Sequence, residues 1–302
     1  MAGPATNPEK ADFGGGGAPN TLSAGLYLVA VPIGNARDIT LRALDILRDA
    51  DVLAAEDTRS LRRLMDLHGV TLGDRPLVAY HDHNGDRMRP RLLADIAAGK
   101  SVAYASEAGT PMVSDPGFDL GRAVVEEGGA VTSAPGASAA IMALTLAGLP
   151  TDRFLFAGFL PNAGGPRRKV LDELVAVPAT LVFYESPKRL GAMLTEAASR
   201  LGDRPAAVCR ELTKKFEEVR RGSLAELAEH YTQNPPKGEI VVVVGKGDSD
   251  SGKEIDLEQV VNLALQTMSV RDAADYVAAR YGFKRRPVYQ MAMRLSESRE
   301  GD

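Results

Sequence analysis

The stretch Ser106-Glu-Ala-Gly-Thr-Pro-Met-Val-Ser-Asp-Pro-Gly117 decides the fold class, because it follows the apolar run Val102 to Ala105 directly. Proline lacks the amide that the interior of a strand or helix needs, and glycine loses the most conformational entropy when it is ordered. A buried strand therefore ends here and an irregular loop begins. Loops at the carboxyl ends of strands in open α/β sheets hold small molecules, so the sequence predicts the floor of a ligand cleft. A long surface turn before the next helix is the alternative.

The same order of apolar run, loop and helical spacing repeats along the first half of the chain. The loops that follow its predicted strands with unusual content are Pro32 to Asn35, Glu56 to Arg59, Ser106 to Gly117 and Ala134 to Ser138. Strands that alternate with helices predict a parallel sheet covered on both faces. We call these four segments the rim loops, because we expect them to leave one edge of the sheet.

The second half of the chain predicts a different sheet. Only Arg210 to Lys215 separates the predicted strands Ala206 to Cys209 and Phe216 to Arg221, which favours a hairpin and a mixed sheet. The predicted fold class is therefore α/β, with two α/β domains (a parallel N-terminal sheet and a mixed second sheet) and a small C-terminal helical module. The predicted boundaries are a disordered tail at 1–24, an N-terminal domain at 25–150, a second domain at 151–246, and a linker with a helix-turn-helix-like module at 247–302.

Composition excludes several classes of protein. The 302 residues include 36 Lys and Arg against 40 Asp and Glu, a net charge of -4, so nucleic acid binding would need a local basic face. One cysteine, Cys209, excludes disulfides and favours a reducing compartment. Apolar runs are too short for a bilayer span and no signal-peptide pattern begins the chain, which predicts a soluble, cytoplasmic protein. His81-Asp82-His83 supplies at most part of a metal site, so no metal is predicted.

The charge of the rim loops indicates the kind of ligand. They contain the carboxylates of Glu56, Asp57, Glu107 and Asp115, and no Gly-x-Gly-x-x-Gly pattern follows Val31. A phosphate would be repelled here. Carboxylates and carbonyls accept hydrogen bonds from ammonium and hydroxyl groups, so a ligand with cationic centres and ribose hydroxyls suits the rim better. S-adenosylmethionine is such a molecule.

Seven motifs then follow one another along the chain. They are Val31-Pro32-Ile33-Gly34-Asn35, Glu56-Asp57-Thr58-Arg59, Ala108-Gly109-Thr110-Pro111 continuing to Ser114-Asp115-Pro116-Gly117, Pro135-Gly136-Ala137-Ser138, Phe159-Leu160-Pro161, Tyr184-Glu185-Ser186-Pro187-Lys188-Arg189 and Arg210-Glu211-Leu212-Thr213-Lys214. In this order they resemble the bacterial ribosomal RNA small subunit methyltransferase I family, of the tetrapyrrole methylase superfamily. The resemblance covers about Leu26 to Gly245, and the helical tail resembles the C-terminal extension of that family. One departure is Glu107, where the family usually has Asp, which leaves the role of this carboxylate open.

The resemblance implies S-adenosylmethionine-dependent 2'-O-methylation of a cytidine in the decoding region of 16S rRNA. It also implies a homodimer that acts on the small ribosomal subunit, with the cofactor held between two α/β domains. The residues implied in cofactor binding are Pro32, Glu107, Thr110, Met112, Val113, Ser138, Ala139, Tyr184, Leu212 and Ile240. For Met112 and Val113 a place in the core is an equal alternative, because apolar side chains are mostly buried.

A ribose hydroxyl is a weak nucleophile that must lose its proton, so a nearby carboxylate or lysine would assist methyl transfer. The candidate catalytic residues are Glu185, Glu211 and Lys214. For each glutamate, an ion pair with an adjacent Arg or Lys is the alternative. The candidates for RNA phosphate contacts are Arg59, Lys188, Arg189, Arg210, Lys284, Arg285 and Arg286, and a solvated helix face explains any one basic cluster equally well.

Two other functions stay open at this point. A methyltransferase for a small molecule, such as a porphyrinoid precursor, would keep the cofactor, but the basic clusters and the helical tail argue against it. A non-enzymatic RNA-binding or ribosome-assembly factor would have no affinity for S-adenosylmethionine.

Overall fold

The computed structural model describes residues 22–113, 117–247, 257–281 and 283–300. The predicted tail up to residue 21, residues 114–116 of the third rim loop and most of the predicted linker lie outside these ranges. Leu22 is partly buried against the core of the first sheet. The chain forms two compact units, of which one contains both sheets and the other contains the last three helices. The predicted domain boundaries stay predictions.

The first sheet has five strands in the order β3-β2-β4-β1-β5, all parallel, as the sequence predicted. They are β1 (Gly25–Val29), β2 (Val52–Ala55), β3 (Leu77–Ala79), β4 (Ser101–Ala105) and β5 (Val131–Ala134). The helices between and after them are α1 (Leu41–Asp49), α2 (Thr58–Leu67), α3 (Gly85–Ala97), α4 (Gly117–Glu126) and α5 (Ala139–Ala147). Because the strands are parallel, their carboxyl ends share one edge, and the rim loops leave from it.

Two apolar clusters cover the two faces of this sheet. Leu53 and Ala55 belong to the cluster with α1 and α2, whereas Val52 and Ala54 belong to the cluster with α3 and α4. Successive side chains of a strand point to opposite faces, so β2 is buried along its whole length. This explains why the strands read as continuous apolar runs.

The second sheet has five strands in the order β6-β7-β10-β8-β9. They are β6 (Phe154–Phe159), β7 (Thr180–Glu185), β8 (Pro205–Arg210), β9 (Glu218–Ser223) and β10 (Ile240–Val244), with α6 (Gly164–Leu174), α7 (Leu190–Leu201) and α8 (Leu224–Gln233) as its helices. β6 and β7 are parallel and the other pairs are antiparallel, which confirms the predicted mixed sheet and hairpin. β9 begins two residues after the predicted Phe216, because the connection from β8 is longer than expected.

Helix α5 joins the two sheets. It is apolar almost all round, and its residues Ala140, Ala143 and Leu144 share one core cluster with Val182 and Cys209 of the second sheet. Strand β9 of the second sheet also contacts the carboxyl end of α5. The guanidinium group of its residue Arg221 donates to the carbonyl oxygens of Leu146 and Ala147. A cation there complements the helix dipole. The first sheet is thereby connected to the second through a shared core.

The second compact unit consists of α9 (Leu257–Ala264), α10 (Val270–Tyr281) and α11 (Arg285–Glu300). Val261, Ala273, Val277 and Val288 form its core. Ser269 caps α10 as predicted, because its hydroxyl oxygen accepts from the Asp272 amide at 3.2 Å. Within the described part of the chain, no helix combines the length and the apolar character that crossing a bilayer requires.

Candidate active site

Direct hydrogen bonds bring the rim loops together. Val31 and Gly109 exchange two backbone bonds, of 2.9 and 3.0 Å, which join the first rim loop to the third. The hydroxyl of Thr110 donates to the carbonyl oxygen of Ala137 in the fourth loop at 2.9 Å. The second rim loop is joined to the third, because the Glu56 carboxylate accepts a hydrogen bond from the Glu107 amide at 3.0 Å. The structure thus places Pro32, Glu107, Thr110 and Ser138 around one edge of the first sheet.

Glycine is required in these loops for contacts between the loops themselves. Gly109 has a φ of +76°, and a Cβ atom on it would lie 3.2 Å from Ile33 Cγ2. A Cβ atom on Gly136 would lie 2.7 Å from the Cβ atom of Ala30. The sequence interpretation was that glycine lets a ligand approach the backbone. The structure adds a different reason: a side chain at Gly109 would be strained by its φ and would crowd the first rim loop, and one at Gly136 would clash with Ala30 just after β1.

The amino end of α5 lies against an aromatic group of the second sheet. Tyr184 is half-buried, and burial raises the pKa of its hydroxyl against the opposing effect of a hydrogen bond from the Ala140 backbone. Its ring contacts Phe156 and Phe159 with centroid separations of 4.9 and 5.6 Å. Tyr184, Ser138 and Ala139, all predicted cofactor contacts, therefore meet at this helix end.

The loop after β8 makes the second junction between the two halves. Leu212 is buried in the same cluster as Ile33 of the first rim loop. The Asn35 amide donates to the Thr213 hydroxyl oxygen at 3.1 Å. Glu211 and Thr213 have φ values of +50° and +65°, which are uncommon for residues with a side chain and costly for a β-branched one. Strained backbone of this kind is concentrated at functional sites.

Glu211, Lys214 and Glu239 form a charged cluster at this junction. Lys214 Nζ lies 3.0 Å from Glu211 Oε1 and 2.9 Å from Glu239 Oε2. The pKa of Glu211 is lowered, first by a hydrogen bond from the Glu239 backbone amide and then by Lys214. Burial disfavours the charged form of Lys214, but its bonds to Glu239 and Glu211 outweigh this effect and raise its pKa. At neutral pH the Glu211 carboxylate is therefore ionised beside the Lys214 ammonium group, and the Glu239 side chain also contacts that ammonium group.

Glu185 takes part in a different ion pair. Its side chain is buried, with Oε1 3.2 Å from Arg189 Nε and accepting from the Ser186 amide at 2.7 Å. Oε2 has no hydrogen-bond partner among the described residues. Arg189 in turn donates to the carbonyl oxygen of Leu160 at 2.6 Å. The geometry favours the ion-pair alternative for Glu185, and its catalytic role stays a prediction.

Strand register separates the predicted residues of the second sheet between its two faces. Ile240 pairs with Glu185 and with Arg210, so these three side chains share one face. Tyr184 and Val241 belong to the other face, which α5 covers. Tyr184 and Ile240 are the two strand residues of the second sheet that were predicted to contact cofactor. The Tyr184 side chain thus faces α5, whereas the Ile240 side chain points away from it.

Met112 combines a strained backbone with a core side chain. Its φ is +70°, and its side chain lies over Gly121 of α4, where a Cβ atom would be 2.8 Å from Met112 Cε. The side chain packs against the second cluster of the first sheet. Val113 is 38% exposed. The side chain of Met112 therefore lies in the core, which was the alternative to cofactor binding, whereas the side chain of Val113 does not.

The residues predicted to contact RNA differ in their exposure and in the ion pairs that they form within the protein. Arg59 is 91% exposed and lines a shallow groove of about 540 Å³ on α2 with Arg62 and Arg63. Lys188 is exposed, whereas Arg210 is bound to Glu218 at 3.0 Å. In the C-terminal unit, Lys284, Arg285 and Arg286 are exposed, and Arg285 is paired with Asp275. Arg59 Nε also lies 3.5 Å from Asp57 Oδ1, and contact with RNA phosphates stays a prediction for all of these residues.

No group of His, Cys, Asp or Glu side chains suited to a metal ion occurs among the residues that the structure describes. The rings of His81 and His83 lie 6.0 Å apart, edge to face. The expectation of a metal-free site stays a prediction.

Sequence reasoning missed four residues of this site: Gly34, Thr213, Glu239 and Phe159. Gly34 and Thr213 lie within two of the motifs quoted above, but their contact joins distant parts of the chain, and the local sequence does not show that the two segments meet. Glu239 directly follows Gly238, whose φ of +93° marks a special turn, so glycine there was the available signal. Phe159 ends a predicted strand in one of the motifs quoted above, and an apolar residue at a loop edge was the signal.

Comparisons with known proteins agree with this architecture. The profile of the tetrapyrrole (corrin/porphyrin) methylases matches residues 25–228, and that of the RsmI C-terminal HTH domain matches residues 251–296. The ribosomal RNA small subunit methyltransferase I of Mesorhizobium japonicum is 46% identical over 93% of this chain and 96% of its own. That of Halalkalibacterium halodurans is 40% identical over 88% and 93%. The uroporphyrin-III C-methyltransferase of Thermus thermophilus, solved with S-adenosylhomocysteine, matches 73% of this chain and 97% of its own at 24% identity, with a TM-score of 0.51.

The two sheets joined at a rim of proline and glycine loops are thus the fold of a tetrapyrrole methylase, a class of methyltransferases. The match extends through the C-terminal helices as well. The chain belongs to the ribosomal RNA small subunit methyltransferase I family.

Proposed function

We propose that this protein transfers a methyl group from S-adenosylmethionine to the 2'-hydroxyl of a cytidine in the decoding region of 16S rRNA. The observation that carries the proposal is the presence, in one chain, of both the methylase profile and the helical C-terminal profile of the rRNA enzymes. A small-molecule methylase needs only the first of these. A non-enzymatic RNA-binding factor would have no use for the joined rim loops.

The residues of the site suit this methyl donor. Ser138 is the N-cap residue that precedes α5, and its side chain makes no capping bond, whereas Thr40 and Asp57 cap their helices; the Ser138 hydroxyl is therefore available to a polar ligand group. The carboxylates of Glu56 and Glu107 suit an ammonium group or ribose hydroxyls. The rim loops and Tyr184 would hold the cofactor between the two halves of the unit.

When bound, the donor supplies an electrophilic methyl group on a positively charged sulfur. The chain must align the ribose hydroxyl and stabilise its oxygen while the hydroxyl proton passes to solvent water. Lys214 remains protonated at neutral pH, because its pKa is raised, so it acts through its charge and not as a base. Glu211 and Glu239 hold the Lys214 ammonium group in place.

The test is a methyl-transfer assay with labelled S-adenosylmethionine, naked 16S rRNA and assembled small subunits, after calorimetry has established cofactor binding. We expect label on the 2'-oxygen of one decoding-region cytidine, mapped by resistance of the adjacent bond to alkali. Lys214→Met should reduce the rate on RNA and leave cofactor affinity within about twofold, since the ammonium group acts on the acceptor. Cofactor binding without label on either RNA would contradict the proposal, and label on a porphyrinoid would favour the small-molecule alternative.

We also propose that the enzyme is a homodimer, that it acts on the assembled subunit and that it works in the cytoplasm. Sedimentation equilibrium should return twice the mass of the chain. A monomer that methylates at full rate would contradict the dimer.

A further inference from the structure

Strand β6 contains a bulge immediately before its last residue. Phe156 pairs with Val182, but Gly158 pairs with Phe183 and Phe159 with Tyr184, so Ala157 is an extra residue on β6. Gly158 has a φ of +63°, a left-handed conformation that glycine adopts without strain. Bulges of this kind redirect a side chain and occur often beside active sites.

The bulge determines the face on which Phe159 lies. In an unbroken register Phe159 would pair with Glu185 and point to the face that carries Glu185, since a shift of one residue exchanges the two faces. The extra residue instead places Phe159 beside Tyr184, with 5.6 Å between ring centroids and 64° between ring planes. Phe159 therefore lies on the face that α5 and its amino end occupy.

The bulge does not bury the ring that it redirects. Phe159 is 57% exposed, whereas Phe156 and Tyr184 on the same face pack against the core cluster under α5. An exposed aromatic ring forgoes the free energy of burial, which a partner covering the ring would restore. The ring lies at the open edge of the proposed cofactor site, next to Tyr184.

The loop after Phe159 is held rigidly. The guanidinium group of Arg189 donates to the carbonyl oxygens of Leu160 and Pro161 at 2.6 and 3.3 Å, and to Asn162 Oδ1. Glu185 forms an ion pair with the same guanidinium group, with Oε1 3.2 Å from Arg189 Nε. The ring of Phe159 is thus presented on a fixed support, which lowers the entropy lost on binding. The residue before Arg189, Lys188, is exposed and positively charged.

We infer that Phe159 is the surface on which a nucleobase of the substrate RNA stacks, beside the methyl-transfer site; this rests on the proposed function. Single-stranded RNA is recognised through unstacked bases that lie on aromatic rings, with basic residues at the phosphates. The exposed ring of Phe159 suits the base, and the exposed Lys188, in the segment that follows the neighbouring strand β7, suits its phosphate. Phe159 is a positioning residue, because it orients the nucleotide and takes no part in the chemistry.

The experiment compares Phe159→Leu, Phe159→Tyr and Phe159→Trp with Phe154→Leu. Phe154 is the matched control, because it is 43% exposed and begins the same strand, at the end away from Phe159. The measurements are KM and kcat for the RNA substrate, the Kd for S-adenosylmethionine and the melting temperature. We expect Phe159→Leu to lower kcat/KM for RNA roughly 5- to 150-fold, mainly through KM, the range of one base stacked on an aromatic ring.

Phe159→Tyr and Phe159→Trp should restore most of this loss, and Phe154→Leu should equal the unaltered protein. Cofactor Kd should stay constant throughout. Equal kcat/KM for Phe159→Leu and Phe154→Leu, or a loss explained by weaker cofactor binding, would overturn the inference while leaving the proposed function intact. An unaltered protein that methylates no RNA would defeat the proposed function itself.

Discussion

Gly34 and Lys214 are in direct contact, since a Cβ atom on Gly34 would lie 2.4 Å from Lys214 Cγ and 2.8 Å from Thr213 Oγ1. The first rim loop and the loop after β8 therefore meet with no space for a side chain. This contact sets the position of the charged cluster of Glu211, Lys214 and Glu239 relative to the rim.

Gly34→Ala should displace the Lys214 loop. We expect a loss of about 1–3 kcal/mol in the free energy of unfolding from overpacking, and a roughly 10- to 100-fold loss of methyl transfer from misplacement of Lys214. Gly165→Ala is the control, because its Cβ atom would meet no atom within 4 Å. Denaturant melts and the methyl-transfer assay provide the two readouts. Full activity of Gly34→Ala would show that the contact does not position Lys214.

Glu211→Gln should change how stability depends on pH. The pKa of Glu211 lies below its ordinary value of 4.5 in the folded protein, so the carboxylate stabilises the fold above that pH, and the effect is lost as pH falls through the folded value. Glu211→Gln should therefore melt below the unaltered protein at pH 7, and the difference should shrink as the pH is lowered past about 4.5. Glu229→Gln, at an exposed position of α8, should melt like the unaltered protein throughout. A difference in melting temperature between Glu211→Gln and the unaltered protein that did not change with pH would show that ionisation of Glu211 does not stabilise the fold.

Gly158→Ala and Gly202→Ala should separate backbone strain from function. Both glycines have positive φ, +63° and +81°, so each alanine should cost roughly 1–3 kcal/mol in the free energy of unfolding. Gly202 follows α7, and a Cβ atom there would meet nothing within 4 Å. Only Gly158→Ala should also reduce methyl transfer to RNA, because the bulge orients Phe159. Equal activity of the two variants would show that the bulge has no part in substrate binding.

Cys209 should report whether α5 stays packed on the second sheet. Its thiol is buried, and burial raises its pKa to about 11. The sulfur lies 3.9 Å from the Ala143 carbonyl oxygen of α5. At pH 8 a thiol reagent should leave the folded protein unlabelled and react at once after denaturation, since the thiolate is the reactive form. Rapid labelling of the folded protein would mean that α5 detaches from β8 in solution.

Local patterns predicted most of the fold. The apolar runs ended by proline and glycine gave the positions of the strands, and the short connection near Arg210 predicted the hairpin of β8 and β9. The start of β9 was placed two residues early, because Phe216 is apolar but 63% exposed in the connecting loop. Hydrophobicity alone does not distinguish an exposed loop phenylalanine from the first residue of a strand.

The site was predicted less completely than the fold. Pro32, Thr110 and Ser138 lie together because parallel strands end at one edge, which is a consequence of topology. Ile240 was predicted to lie at the same site; register places its side chain on the other face from Tyr184, and its contact with cofactor stays a prediction. In strands that are buried on both faces, every residue is apolar, so the sequence carries no record of which face each side chain takes.

The sequence by itself determined the order of strands and helices, the loops that end the parallel strands and the family resemblance, because these depend on residues close together along the chain. Only the tertiary structure decided that Gly34 touches Lys214, that Lys214 is held between two carboxylates and that Phe159 turns toward α5. The physical reason is that these features depend on distances between segments remote in sequence and on one extra residue in β6, neither of which has a local signature.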